Sequence, residues 1–244
     1  MNTLAGLTVA YERHPAVHHL EGGFAAGSLT AVVGPNGGGK STLLRAIAGV
    51  VPPSGGRVER GALRQRDIAY LPQQAAIDRS FPISTLDAVM LGHWRRSGVL
   101  GGLGRAARAR AAVALEAVGL GGFGARPIAT LSAGQFQRAL FARMLLQDAR
   151  LILLDEPFAA IDARTTADLL GVVRRWHDEA RTVIAVLHDL EQVRAHFPQT
   201  LLLAREAIAW GPTASVLTAA NQLRARAMAE AGGPDAAPCR RDAA

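Results

Sequence analysis

Gly34-Pro35-Asn36-Gly37-Gly38-Gly39-Lys40-Ser41 is the stretch on which the fold turns. Two glycines five positions apart, then a lysine and a hydroxyl residue, fit the pattern of a P-loop. In such a loop glycine lets successive backbone N–H groups turn inward around a phosphate. The neighbours supply the context the loop requires. Leu29 to Val33 is a short apolar run rich in β-formers, and Leu43, Leu44 and Ile47 recur at helical spacing. Strand, loop and helix therefore follow one another, and the positive end of the helix adds to the anion site. Pro52 and Pro53 predict that this helix ends near Val50, because proline cannot continue it.

A P-loop gives each residue a task. Lys40 bridges the β- and γ-phosphates of ATP, the Ser41 hydroxyl ligates Mg2+, and Gly34 to Gly39 with Thr42 complete the nucleotide cradle. Lysine usage points the same way. Of 27 basic residues, Lys40 is the one lysine, and the rest are arginine. An arginine fork does not replace a compact ammonium between phosphate oxygens.

Further along, Leu151-Ile152-Leu153-Leu154-Asp155-Glu156 reads as a buried strand ending in two acids. Asp155 is placed to bind the metal, and Glu156 to orient and deprotonate the attacking water. Between loop and acidic strand, from about Pro82 to Leu146, the pattern is helical. It contains Leu86, Val89 and Met90, then the alanine-rich Arg105 to Val118, then Phe136 to Leu146, with a loop at Gly98 to Gly104. After it the α/β pattern resumes with a helix from about Ala163 to Glu179 and a strand at Thr182 to Leu187.

Leu131-Ser132-Ala133-Gly134-Gln135 adds a second anion-ready element, since Ser132 and Gln135 form a capping-box pattern that opens a helix with free N–H groups. Here the sequence resembles the ABC transporter ATPase family, whose signature Leu-Ser-Gly-Gly-Gln follows a helical subdomain and precedes the acidic strand. Ala133 departs from that signature, placing a methyl where the family usually has glycine. The resemblance covers about residues 3 to 218, with the motifs in the family's order. It implies a head-to-tail homodimer, with ATP held between Lys40 of one copy and Ser132, Gly134 and Gln135 of the other. Tyr11, ahead of the first strand, resembles the aromatic residue that stacks on adenine. Gln73 resembles the glutamine that reaches Mg2+ and the attacking water, Asp162 the loop that crosses the dimer interface, and His188 the switch histidine at the γ-phosphate.

The expected fold is α/β: a P-loop core with a mainly parallel sheet, an antiparallel strand region near the N-terminus and a helical subdomain inserted at about 82–146. Residues 1–218 are expected to form one domain, and 219–244 a C-terminal helix and disordered tail. No apolar run approaches the roughly 18 to 20 residues of a membrane span, and the amino terminus lacks a leader pattern. A cytoplasmic protein, peripheral on the inner face of the cell membrane, is expected. The net charge of +7 is scattered and has no interleaved aromatic platforms, so no nucleic acid is expected as partner. Cys239, the single cysteine, cannot form an intrachain disulfide.

The resemblance further implies an integral membrane permease docked near Gln73 to Gly92 and an extracytoplasmic solute-binding protein in the full system. Phe81 to Gly92 is similar to the matching segment of ATPases that serve zinc, manganese and iron(II) importers. Its similarity to those of siderophore and haem importers is lesser. An ABC ATPase that moves no solute would carry long coiled-coil insertions or two cassettes, and neither is present in this sequence.

Overall fold

The computed structural model describes residues 2–12, 14–73, 78–93, 104–159 and 161–231. Cys239, the tail and the loop at 98–103 lie outside them. Three strands, β3 (Leu29–Val33), β6 (Leu151–Asp155) and β7 (Thr182–Val186), are buried along their whole length. Strands without polar alternation suit the middle of a parallel sheet covered on both faces. They sit there, in a six-stranded sheet ordered β5-β6-β7-β3-β8-β9, where β5 is Ile68–Leu71, β8 is Gln199–Ala204 and β9 is Glu206–Pro212. Pairing is parallel except between β8 and β9.

Successive side chains of these strands enter opposite halves of the core, as a period of two demands. Ala31, Val33, Ile152, Leu154 and Ala185 face one half, while Val32, Leu153, Ile184 and Val186 face the other. The second half is closed by helix α1 (Lys40–Ala48) and by a three-stranded antiparallel sheet, β2-β1-β4. Its strands are β1 (Asn2–Tyr11), β2 (His14–Phe24) and β4 (Gly55–Glu59). Leu29–Val33 is thus the third strand, and Tyr11 closes β1 rather than lying ahead of all strands. Helix α1 also stops earlier than the prolines require. Gly49 takes a left-handed φ of 74° and its N–H bonds to the Ala46 carbonyl, so a glycine cap ends the helix at Ala48 before Pro52 can act.

The first half of the core is closed by α2 (Thr85–Met90), α3 (Arg105–Ala117), α4 (Ala133–Gln147) and α5 (Ala163–Asp178). Helices α2, α3 and α4 pack on one another. Ala107, Ala111, Ala114 and Leu115 form the buried stripe of α3, leaving Arg105, Arg108 and Arg110 exposed. Phe141 of α4 stacks on Trp176 of α5 with ring centroids 5.6 Å apart, and Phe158 stacks on Phe141 at 6.3 Å. Such pairs contribute about 1 kcal/mol each beyond their area. This stack anchors the loop that leaves β6. Helices α6 (Leu190–His196), α7 (Thr213–Val216) and α8 (Ala219–Ala231) follow. Among the described residues no helix is long and apolar enough to cross a membrane.

Candidate functional site

Because β5, β6, β7 and β3 run parallel, their C-terminal ends open on one edge of the sheet, where ligands of open α/β sheets bind. Gln73 follows β5, Glu156 follows β6, His188 follows β7, and the glycine loop follows β3. Tyr11, Asn36, Gly37, Gly38, Gly39, Lys40, Ser41, Thr42, Gln73, Glu156 and His188 line one cleft of about 680 Å³. Of the sequence-predicted residues of the first phosphate site, Gly34, Pro35 and Asp155 lie beside this cleft rather than lining it.

The glycines of the loop are dictated by space as well as by dihedral angle. A Cβ on Gly34 would stand 1.9 Å from the Leu203 carbonyl oxygen, and one on Gly39 would stand 2.0 Å from that of Ala16. Both also hold positive φ, 148° and 87°. The loop is held from behind by the turn between β8 and β9, where the Arg205 N–H donates to the Gly38 carbonyl at 3.0 Å. Lys40 is 6% exposed, and its Nζ donates to the carbonyls of Gly34 and Pro35, each at 2.9 Å. Burial pulls its pKa below the ordinary lysine value, opposed by the charges of Glu156 and Asp155.

Asp155 lies beneath the loop, 1% exposed. Ser41 Oγ donates to Oδ1 at 2.8 Å and the Tyr70 hydroxyl donates to Oδ2 at 3.3 Å. Burial raises its pKa, and these two hydrogen bonds oppose the rise. The close Ser41 and Asp155 oxygens make a hard donor pair that fits a divalent cation completing its shell with water and phosphate. Glu156 adopts φ of 49°, costly for a residue with a Cβ, while its N–H continues the ladder to the Val186 carbonyl at 3.2 Å. Its carboxylate accepts from Gln73 Nε2 at 2.7 Å through Oε2 and meets His188 Nε2 at 2.6 Å through Oε1. Three consecutive strands thus deliver an amide, a carboxylate and an imidazole to one point.

Ser132, Gly134, Gln135 and Asp162 lie outside this cleft. Ser132 caps α4, accepting from the Gln135 N–H at 3.2 Å, while Gln135 Oε1 accepts from the Ser132 N–H at 3.0 Å. Asp162 caps α5 through the Thr165 N–H and hydroxyl, each at 2.8 Å, and these bonds hold its pKa below the ordinary carboxylate value. Gly134 lets the two helix starts lie side by side, since a Cβ there would stand 3.3 Å from Thr165 Oγ1 and 3.6 Å from Asp162 Oδ2. Ala133 is exposed in the first turn of α4, where its methyl meets no strain from the helical backbone.

A sequence model of the ABC transporter family matches residues 17–159. The chain belongs to the ABC transporter family. It is an ATPase of that family. It is 38% identical over 219 residues to the manganese transport system ATP-binding protein MntB of Listeria monocytogenes, covering 88% of this chain and 91% of that one. It is 38% identical over 216 residues to the zinc transport system ATP-binding protein TroB of Treponema pallidum, covering 87% and 81%. Among solved structures, a chain of an inward-facing metal-chelate type ABC transporter superposes with a TM-score of 0.80 at 29% identity, over 92% of this chain and 87% of that chain. A dimeric ATP-binding cassette bound to ADP and phosphate after hydrolysis superposes with a TM-score of 0.78 at 25% identity, over 87% and 99%.

Two residues of this ABC ATPase were not singled out by sequence. Tyr70, on β5, is buried enough to push its hydroxyl pKa up to about 12, first by desolvation and then by the Asp155 charge. Arg45 of α1 faces the hydroxyls of Tyr70 and Tyr11, and these contacts raise its own pKa. A chain of polar groups therefore runs from Tyr11 through Arg45 and Tyr70 to Asp155. The signal for Tyr70 was available: a polar tip on an otherwise apolar strand, Ile68-Ala69-Tyr70-Leu71, needs a partner when buried.

Proposed function

We propose that this ABC ATPase powers an importer of a divalent transition metal, manganese or zinc, working as a head-to-tail dimer beneath an integral membrane permease. The observation that carries the dimer is the separation of two phosphate-directed elements. Lys40 and its loop line the cleft, while the capped start of α4 at Ser132 lies outside it. A second copy related by a two-fold axis would bring its own Ser132, Gly134 and Gln135 to this chain's ATP, with Asp162 of each at the crossing. The dimeric cassette holding ADP and phosphate supports that reading.

Within the cleft, Asn36 to Thr42 would wrap the phosphates with backbone N–H groups, and Lys40 would place its ammonium between them. Tyr11, 45% exposed, would stack on adenine. Mg2+, when bound, would be held by Ser41 and Asp155 with Gln73 nearby, and would neutralise charge developing on the β- and γ-oxygens. Glu156 would take the proton of the water attacking in line, while Gln73 and His188 hold its carboxylate in place. Tyr70 fixes the second oxygen of Asp155. Tyr70→Phe is expected to raise the Mg2+ concentration for half-maximal turnover roughly fivefold, the worth of about 1 kcal/mol for one hydrogen bond. Nucleotide affinity measured in EDTA should stay within twofold, which separates loss of metal positioning from loss of the fold.

The metal assignment is supported by the manganese and zinc transport names of the relatives and by the Phe81 to Gly92 segment. That segment offers an apolar side chain, Phe81, 61% exposed, at the foot of α2 for the permease to cover. An extracytoplasmic binding protein would select the metal, and this chain would sit on the inner face of the membrane. Deleting this subunit is expected to lower cellular manganese or zinc, measured by elemental analysis under chelation, with growth restored by the added ion. Normal metal content together with lost uptake of a siderophore, haem or organic solute would overturn the cargo and leave the ATPase in place.

A further inference from the structure

Arg79 joins two parts of the chain that the proposed dimer must move together. It belongs to the segment between Gln73 and Phe81 and is set by a tight turn, in which the Ser80 N–H and hydroxyl donate to Asp78 Oδ1 at 2.9 and 2.7 Å and the Phe81 N–H donates to the Asp78 carbonyl at 3.1 Å. From this turn the Arg79 guanidinium donates through Nη2 to the carbonyl of Leu131, and its Cζ lies 5.0 Å above the ring centroid of Phe136. Leu131 is the residue before Ser132, and Phe136 sits one turn into α4.

The consequence follows from the planarity of the peptide bond. The Leu131 C=O and the Ser132 N–H belong to one rigid plane. Arg79 holds the carbonyl side and Gln135 Oε1 holds the N–H side at 3.0 Å. The plane that ends at the Ser132 Cα is therefore clamped at both edges, one clamp internal to α4 and the other reaching in from the docking segment. The same segment is laced to the approach to α4 by the Thr85 N–H on the Arg126 carbonyl at 2.8 Å and the Ile128 N–H on the Ile83 carbonyl at 3.1 Å. Those bonds involve only backbone and fix position; the Arg79 clamp is the one drawn from a side chain of residues 78–83 to the signature itself.

We propose that Arg79 is a positioning residue that couples the permease-docking segment to the signature end of α4, setting the aim of Ser132 toward the ATP of the second copy. The inference rests on the head-to-tail reading given above. Arg79 touches neither the cleft nor the reacting atoms, so its removal should leave monomer properties alone and act on closure of the dimer.

The test uses the full chain in the Glu156→Gln background, with dimer formation followed by analytical ultracentrifugation in ATP and Mg2+. Adding Arg79→Gln is expected to raise the protein concentration for half-dimerisation at least fivefold, while ATP affinity of the monomer and the melting temperature without nucleotide stay unchanged. Phe136→Leu should give a smaller shift in the same direction, and Arg79→Lys, which keeps a donor and a charge, should recover part of the loss. Dimerisation of the double variant equal to that of Glu156→Gln overturns the proposal alone. Loss of melting temperature and ATP affinity in step with dimerisation reduces Arg79 to a fold contact and also overturns it. Failure of Glu156→Gln itself to dimerise overturns the head-to-tail reading, and the coupling with it.

Discussion

Glu156→Gln is expected to lower the rate of ATP hydrolysis at least a hundredfold while leaving ATP affinity within a few fold. General-base assistance of this kind is worth roughly 10² to 10⁴ in rate. The amide keeps the length and shape of the side chain but cannot take a proton. It can still accept from Gln73 or meet His188, the two partners of the carboxylate at 2.7 and 2.6 Å. The phosphate cradle is untouched, because Lys40 and the loop glycines are fixed by contacts that do not include Glu156. Removing a negative charge from beside the terminal phosphate should also favour the closed dimer, so the variant should run as a dimer on gel filtration with ATP and Mg2+ and as a monomer without them. Normal turnover by a protein that stays monomeric would remove Glu156 from the mechanism.

Lys40→Arg is expected to weaken nucleotide binding by roughly a hundredfold, about 2.7 kcal/mol, although charge is preserved and every other basic residue of the chain is already arginine. Lys40 is buried at 6% exposure and its ammonium is held by backbone, with the carbonyls of Gly34 and Pro35 at 2.9 Å. A planar fork with five donors cannot turn within that enclosure as a compact ammonium can. Calorimetric titration with a non-hydrolysable ATP analogue measures the effect. Affinity equal to the parent protein would make the single lysine an accident of composition.

What could be read beforehand were features in which residue type and spacing carry the chemistry. The glycine loop, the acidic end of Leu151 to Glu156 and the capping box at Ser132 are local patterns, and the structure forms each of them. What could not be read were contacts made by backbone atoms across long separations. The Leu203 carbonyl and the Arg205 N–H hold the glycine loop from behind, yet no side chain in β8 or β9 announces it. The side-chain contacts of Arg79 on Leu131 and of Arg45 with Tyr70 were equally hidden, since one arginine among 26 carries no positional signal. The end of α1 falls within two residues of Val50, but the stop is set by Gly49 rather than by the prolines. Two stop signals follow one another, and Gly49 comes before the prolines.

The placement of β3 in the sheet bears on how the chain acquires its activity during synthesis. Its partners on either side are β7 and β8, with Leu29 opposite Val183 and Thr30 opposite Gln199. At a translation rate of about 5 to 20 residues per second, the partners of β3, roughly 150 residues further on, emerge about 8 to 30 s after it. The glycine loop is thus among the first motifs to leave the ribosome and among the last to be assembled. Until β7 and β8 arrive, β3 is an apolar strand with two open edges, the kind of segment that pairs wrongly with its neighbours on other chains. Nucleotide can therefore stabilise the finished fold but cannot nucleate it, and a nascent chain depends on protection of Leu29 to Val33 during that interval.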